Sequence, residues 1–282
     1  VAGQRRFICE LGRYVRCLEA GRGLVAKLEH GRVGIAPHSL RAVTPEELAI
    51  LLPLAAADPI HMHVAEQVRE VEACVAWSGK RPVEWLFEHA PVDARFCLIH
   101  ATHMTSDETQ RFAKSGAVAG LCPITEANLG DGYFPTVEFH EAGGAFAIGT
   151  DSNIAISVQE ELRLLEYGQR LQRRARNLLI GHEQSTGRVL FEGALRGGAK
   201  ALGVAAGIDV GAPADLVSLD VSRPAFVGRE GDRVLDSWIF SAGAGCVDRV
   251  WRAGVEVVSN GRHRDRDAIA ARYRSTLENL LR

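Results

Sequence analysis

Two rhythms of hydrophobic and polar positions alternate over the first half of the chain. Short apolar runs that end in polar residues, at 33–37, 59–64, 96–100, 117–121 and 145–150, read as strands. Between them the apolar spacing is helical, at 45–55, at 66–78 followed by 82–89, at 106–115 and at 136–142. Strands alternating with helices predict parallel βα units joined by right-handed crossovers, so the fold class is α/β. Each strand closes on a polar residue: His38 after the first, then His63, His100, Cys122 with Pro123, and Asp151. In parallel folds these carboxyl ends share one face, where chemistry is usually placed, so three histidines and an aspartate should converge on one rim.

Beyond Asp151 the pattern changes. A long helix is predicted over 157–174, carrying Glu160, Glu161 and Arg163 early, and another over 189–202 that stops near Gly203. From Gly207 onward short β-rich runs at 215–219, 247–251 and 255–258 alternate with turn residues such as Gly211-Ala212-Pro213-Ala214. The terminal stretch 264–282 is helical again, with Ile269, Tyr273, Leu277 and Leu281 spaced to cover one face. We therefore expect three parts, an α/β part over 1–204, a β-built part over 205–263 and a terminal helix over 264–282.

Composition narrows the function classes. The 282 residues can bury a sizeable core, and 33 basic against 35 acidic side chains leave nothing basic enough to grip nucleic acid. The longest apolar stretches, such as 48–57, stop well short of the roughly 20 residues of a membrane-spanning helix. Six cysteines, at 9, 17, 74, 97, 122 and 246, form no C-x-x-C pair and read as reduced thiols of a cytoplasmic protein. The chain opens on Val1 with no signal-peptide pattern, and the expectation is that its natural amino terminus is missing.

The candidate chemistry starts at His61-Met62-His63. Side chains two apart on a strand face the same way, and imidazole nitrogen suits zinc and related ions. Alone, such a pair reads as strand histidines satisfied by hydrogen bonds. It is accompanied, however, by His100-Ala101-Thr102-His103 and by Thr150-Asp151-Ser152-Asn153, each at a strand's end. This set resembles the amidohydrolase superfamily of metal-dependent barrel hydrolases. Only 88 residues separate His63 from Asp151, room for about three βα units of 30 or more residues. His63 therefore belongs on the family's fifth strand and Asp151 on its eighth, and Glu66 completes a His-x-x-Glu similar to that of the deaminase branch.

Longer strings sharpen the resemblance. Pro37-His38-Ser39-Leu40-Arg41, His61-Met62-His63-Val64-Ala65-Glu66, Trp77-Ser78-Gly79-Lys80-Arg81-Pro82, Thr125-Glu126-Ala127-Asn128-Leu129-Gly130-Asp131-Gly132 and Glu160-Glu161-Leu162-Arg163 are similar to the formimidoylglutamate deiminase family. The resemblance implies a partial TIM-type barrel, strands four to eight, with part of a small β-sandwich. It also implies hydrolysis of N-formimino-L-glutamate to N-formyl-L-glutamate and ammonia in histidine degradation, with a metal-activated water as nucleophile. Carried over, His63 and Asp151 are ligands of one divalent metal ion, zinc by the family's habit, and Asp151 also takes the proton of the attacking water. His100 is a hydrogen-bond donor and proton relay, and Glu66 protonates the departing nitrogen. Arg41 and His38 bind a substrate carboxylate, a solvated surface role being the alternative for Arg41 without the motif. The expected partners are this small molecule and a second copy in a homodimer, with neither nucleic acid nor membrane.

Other residues carry lesser expectations. His61 has a packing or supporting role, and His103 and Asn128 order rim loops. Cys122 lacks an activating base and is no nucleophile. Residues 170–176 form a solvated basic face, and Gly197-Gly198 lacks the context of a phosphate loop. Two departures from the family stand out. Asn153 occupies a position where His is expected, and no second H-x-H, the source of two further metal ligands, precedes His38. The chain accordingly reads as the carboxyl-terminal portion of a longer enzyme, expected to hold a catalytic metal with less than full affinity. The alternatives are an inactive fragment and another aminohydrolase acting on guanine or S-adenosylhomocysteine.

Overall fold

A computed structural model describes residues 8–243 and 245–281. The chain divides into two compact units, one running to Ile180 and taking in Leu190–Val204, the other comprising Gly181–Val189 and the chain from Ala205 onward.

The first unit is built on a parallel four-stranded sheet in sequential order, β1 (Ile60–Val64), β2 (Phe96–His100), β3 (Val118–Leu121) and β4 (Ala145–Ile148). Strict alternation along β1 buries Ile60, Met62 and Val64 and leaves His61 and His63 together on the other face. The central strands are buried on both faces, as parallel strands under helices are, and β3 is buried throughout. The helices are α1 (Leu11–Val25), α2 (Pro45–Leu54), α3 (Val68–Ser78), α4 (Pro82–His89), α5 (Ser106–Lys114), α6 (Pro123–Leu129), α7 (Thr136–Glu141), α8 (Val158–Arg173) and α9 (Thr186–Leu202), the last contributing residues to both units. Several starts are dictated locally. Thr44 and Thr105 accept from the amides of Glu47 and Glu108, whose carboxylates reach back, and Pro45 and Pro82 stand at first-turn positions where no amide is needed.

The strand expected at 33–37 is reduced to a single bridge between Ile35 and Ile60. Ile35 donates to Pro59 O and its carbonyl accepts from His61 N, but Pro37, which should donate next, has no amide hydrogen. The ladder slips there, and His63 N finds His38 O at 2.9 Å. Helices α1 and α6 answer to no sequence expectation.

The second unit holds an antiparallel sheet, β5 (Leu216–Leu219), β6 (Val247–Arg252), β7 (Val255–Ser259) and β8 (Arg262–His263), in that order. It also contains a 3-10 turn at Pro224–Phe226 and two helices, α10 (Asp232–Phe240) and α11 (Arg266–Leu280). α10 was not anticipated. α11 forms where expected, but Ile269, Tyr273, Leu277 and, just beyond it, Leu281 are all exposed, so the apolar stripe covers nothing among the described residues. Arg282 and residues 1–7 lie outside the described residues. No helix among those described is long and apolar enough to cross a membrane.

Candidate active site

At the carboxyl rim of the parallel sheet the backbone leaves regular geometry at residues that are not glycine. Ala65 after β1 has φ 49°, His100 and Ala101 at the end of β2 have 66° and 46°, and Asp151 and Asn153 after β4 have 42° and 56°. Each costs roughly 1–3 kcal/mol, and such strain persists only where surrounding contacts over-determine it. It also redirects side chains. By strand alternation His100 belongs with Phe96 and Leu98, opposite to His63; with its backbone left-handed, its ring lies beside that of His63, centroids 5.6 Å apart.

The first rim loop is fixed by backbone contacts. The carbonyl of His38 accepts both from His63 N at 2.9 Å and from His63 Nδ1 at 2.8 Å, and the His38 and His63 rings stack at 4.8 Å. Ser39, fully buried, pairs its hydroxyl with His38 Nδ1 at 2.9 Å and accepts from Arg41 N at 3.3 Å. Arg41 then reaches across the rim, donating from Nη2 to Glu66 Oε2 at 2.8 Å, while Glu66 Oε1 lies 3.7 Å from His100 Nε2. The turn that carries Glu66 is pinned by buried Glu70, which accepts from Ala65 N at 3.0 Å and Glu66 N at 2.8 Å.

His100 is buried and its Nδ1 lies 3.2 Å from Glu126 Oε1, an atom that also accepts from Cys122 N at 2.9 Å. Burial opposes charge on His100, but the hydrogen bond and charge of Glu126, with the charges of Glu66 and Asp151, outweigh it and raise the pKa. His38 moves the other way, lowered by burial first and then by the neighbouring His63 and Arg41. Behind the rim Glu161 accepts from Ile124 N at 2.9 Å, and burial pushes its carboxyl up to about 7. Burial likewise pushes up the Cys122 thiol, consistent with the expectation that it is no nucleophile.

Five of the expected residues, His38, Arg41, His63, Glu66 and His100, thus form one chain of contacts. Asp151 stands exposed on the same rim, its charge felt at His100. Among the described residues no three His, Cys, Asp or Glu side chains are grouped closely enough to hold a metal ion. The donors still suit one individually. His63 spends Nδ1 on a backbone carbonyl, the arrangement that orients metal-binding imidazoles and leaves Nε2 free, and an exposed carboxylate at 151 is a matching hard donor. The residues present fit part of a divalent cation's shell.

His61 is accounted for by structure, its Nε2 meeting Ala201 O at 2.8 Å in the last turn of α9, where carbonyls lack helical partners. His103 joins a small polar cluster: Gln67 donates to Asp131 at 3.1 Å, while Thr102 Oγ1, His103 Nε2 and Asp131 Oδ2 are buried without partners among the described residues. Asn128 is exposed. Sequence reasoning passed over Glu70 and Glu126. For Glu126 the one local signal was its place four residues after Cys122, within reach of that amide at the start of a helix.

Comparison with known proteins places the chain among relatives. The profile described as the amidohydrolase family matches residues 12–257. A formimidoylglutamate deiminase of Pseudomonas aeruginosa is 48% identical over 99% of this chain and 62% of its own length. The crystal structure of an amidohydrolase from Brucella melitensis superposes with a TM-score of 0.95 at 54% identity, covering 99% of this chain and 62% of that one. An adenosine deaminase from Xanthomonas campestris, solved with bound zinc, gives a TM-score of 0.82 at 26% identity over 93% of this chain and 61% of that one. The chain spans about three fifths of the length of these relatives.

Proposed function

The chain belongs to the amidohydrolase family, and from the rim geometry we propose that it carries the deimination site of an enzyme that hydrolyses N-formimino-L-glutamate to N-formyl-L-glutamate and ammonia. The observation that carries this reading is the cation at the centre of a hydrolytic rim. Arg41 sits 2.8 Å from Glu66, itself 3.7 Å from His100. A neutral purine has no use for a guanidinium there, whereas a dicarboxylate does.

In this reading β1 to β4 are the fifth to eighth strands of a TIM-type barrel and the 33–37 segment is the fourth. Residues 1–204 form the barrel part, 205–263 the later part of a β-sandwich, and 264–282 a terminal helix. His63 and Asp151 would hold a divalent cation, zinc in our reading, which when bound supplies the Lewis acidity that makes water nucleophilic near neutral pH. Arg41 and His38 take a substrate carboxylate, and in doing so Arg41 lets go of Glu66. The freed Glu66 carboxylate takes up the second proton of the attacking oxygen, handed on by His100, and delivers it to the departing nitrogen, so ammonia leaves in place of an anionic amide. Asp151 takes the proton of the attacking water, and His100 moves a proton beside the same oxygen. Family likeness adds a cytoplasmic setting and a homodimer, the latter open to sedimentation.

The test couples binding to turnover. N-formyl-L-glutamate binding is followed by calorimetry, and ammonia release from N-formimino-L-glutamate is measured with zinc supplied. Arg41→Met should weaken product binding about 10- to 100-fold, the usual loss for a charge-assisted carboxylate contact. Unchanged binding in that variant, or ammonia released from guanine or S-adenosylhomocysteine and none from formiminoglutamate, overturns the reading.

A further inference from the structure

We propose that Glu126 is a positioning residue for His100: it accepts a hydrogen bond from Nδ1–H, holds the proton on that nitrogen and thereby leaves Nε2 as the lone-pair nitrogen that faces Glu66 and the reacting group. The inference rests on the deiminase reading only for what Nε2 acts on; the assignment of the proton stands on geometry.

Three observations carry it. Glu126 Oε1 already accepts the amide of Cys122 at 2.9 Å, so the atom is an acceptor, and the imidazole nitrogen 3.2 Å away must be the donor. A neutral imidazole has one N–H, so donation from Nδ1 makes Nε2 an acceptor. Secondly, His100 cannot take its direction from the sheet, because its φ of 66° has broken the strand's alternation. The ring needs a partner outside β2, and a carboxylate only 4% exposed on α6 is a rigid one. Thirdly, Nε2 makes no hydrogen bond among the described residues. Glu66 Oε1 at 3.7 Å is beyond hydrogen-bond range, a gap in which an oxygen or nitrogen can sit about 3 Å from both groups.

The consequence refines the role expected of His100. In the neutral ring Nε2 accepts, and it becomes a donor only after it has taken a proton. The proton arriving at Nε2 turns the ring into an imidazolium whose charge Glu126 faces, and the same proton then leaves from Nε2. No proton passes to Glu126 in this cycle, which orients the ring and steadies its charge.

The experiment reads the ring directly and needs no turnover. Two-dimensional nitrogen-proton spectra of the whole chain are recorded above the pH at which His100 titrates, with the His100 ring assigned by loss of its signals in His100→Gln. The expected result is a protonated Nδ1 and an unprotonated Nε2. Glu126→Gln keeps an acceptor oxygen and should keep that tautomer. Glu126→Leu, checked for folding by near-ultraviolet circular dichroism, should lose it. A protonated Nε2 in the unaltered chain overturns the proposal whether or not either variant folds, as does a folded Glu126→Leu that keeps the Nδ1 proton. Where the zinc-supplied protein turns over, Glu126→Gln should lower kcat about 10- to 100-fold with KM little changed, the scale seen for partners that orient functional imidazoles. Failure of the deiminase reading would remove that kinetic effect and leave the tautomer result standing, so the two failures are distinguishable.

Discussion

Removing the carboxylate of Glu70 should unfasten the turn that presents Glu66, and the cost can be worked from the contacts. Glu70 is 5% exposed and accepts two main-chain amides, Ala65 N at 3.0 Å and Glu66 N at 2.8 Å. Hydrogen bonds to a charged acceptor contribute about 1.5–3 kcal/mol each, and a buried amide left unmet loses that in full. Ala65 is wholly buried at a left-handed φ of 49°, so its amide has no route to water; Glu66 is partly exposed and can recover a bond from solvent. The contact of Glu70 with Arg41, 3.9 Å from a guanidinium that is 38% exposed, adds little after screening. Glu70→Ala should therefore destabilise the parallel-sheet unit by about 2–4 kcal/mol, and Glu70→Gln, which keeps one oxygen and turns an amide toward the second N–H, by about half as much. Urea unfolding gives the total, and native-state hydrogen exchange reads the local part. The Ala65 and Glu66 amides, protected in the unaltered chain, should exchange at least about tenfold faster in Glu70→Ala. If the variant stays within about 0.5 kcal/mol of the parent and Ala65 keeps its protection, the turn is held by something other than Glu70.

Three further outcomes follow from burial. Glu161, raised to about 7 by its surroundings against an ordinary 4.5, binds its proton more tightly folded than unfolded, so its contribution is fully present below about 4.5 and is lost as pH rises through 7. Glu161→Gln should thus gain on the parent between pH 5 and 8 by up to roughly 3 kcal/mol in urea titrations, and an unchanged difference between the two pH values would contradict the assignment. Cys9 and Cys17 are exposed while Cys74, Cys97, Cys122 and Cys246 are buried, with Cys97 pushed up to about 12, so a thiol reagent should label the first two quickly and the other four only on unfolding. Fast native labelling of Cys122 would sink that expectation. On α9, a Cβ at Gly197 would lie 1.8 Å from Phe146 O, while one at Gly198 meets nothing within 4 Å. Gly197→Ala should cost about 3 kcal/mol or more and Gly198→Ala should stabilise by about 0.5–1 kcal/mol, which paired thermal melts would compare.

Much of this architecture was legible because local chemistry and periodicity agree. Strand 96–100 and helix 82–89 fall on their expected bounds, the one an apolar run ending in His100, the other opened by Pro82. The segment 33–37 failed as a strand because apolar pattern says nothing of the ladder, and the missing amide of Pro37 interrupts it. α6 was passed over because Cys122 and Pro123, which open it, were read only as the polar end of a strand. At the site, residues that terminate strands could be placed on one rim from order alone. Which of them touch could not. Arg41 meets Glu66 across 25 residues and His100 meets Glu126 across 26, and neither separation has a periodic signature.

The rim's carboxylates divide by what they hold, and that division supports the roles given to them. Glu70 accepts the amides of Ala65 and Glu66, Glu126 that of Cys122, and Glu161 that of Ile124. Each is at most 5% exposed; Glu70 ties down the left-handed turn at Ala65, Glu126 the residue that opens α6 and Glu161 the first turn of that helix. An acid committed to main-chain amides cannot move without unfastening its loop, so its use is in fixing positions, its own and those of side chains it also touches. Among the described residues Glu66 accepts from no backbone amide; its partner is Arg41, a long and part-exposed side chain that an incoming carboxylate can draw away. In the proposed reaction it is therefore the rim carboxyl whose surroundings change when the dicarboxylate binds. A group that must hold a proton at one stage and give it up at the next needs that freedom, and the three pinned acids supply the rigid frame in which one mobile contact is enough.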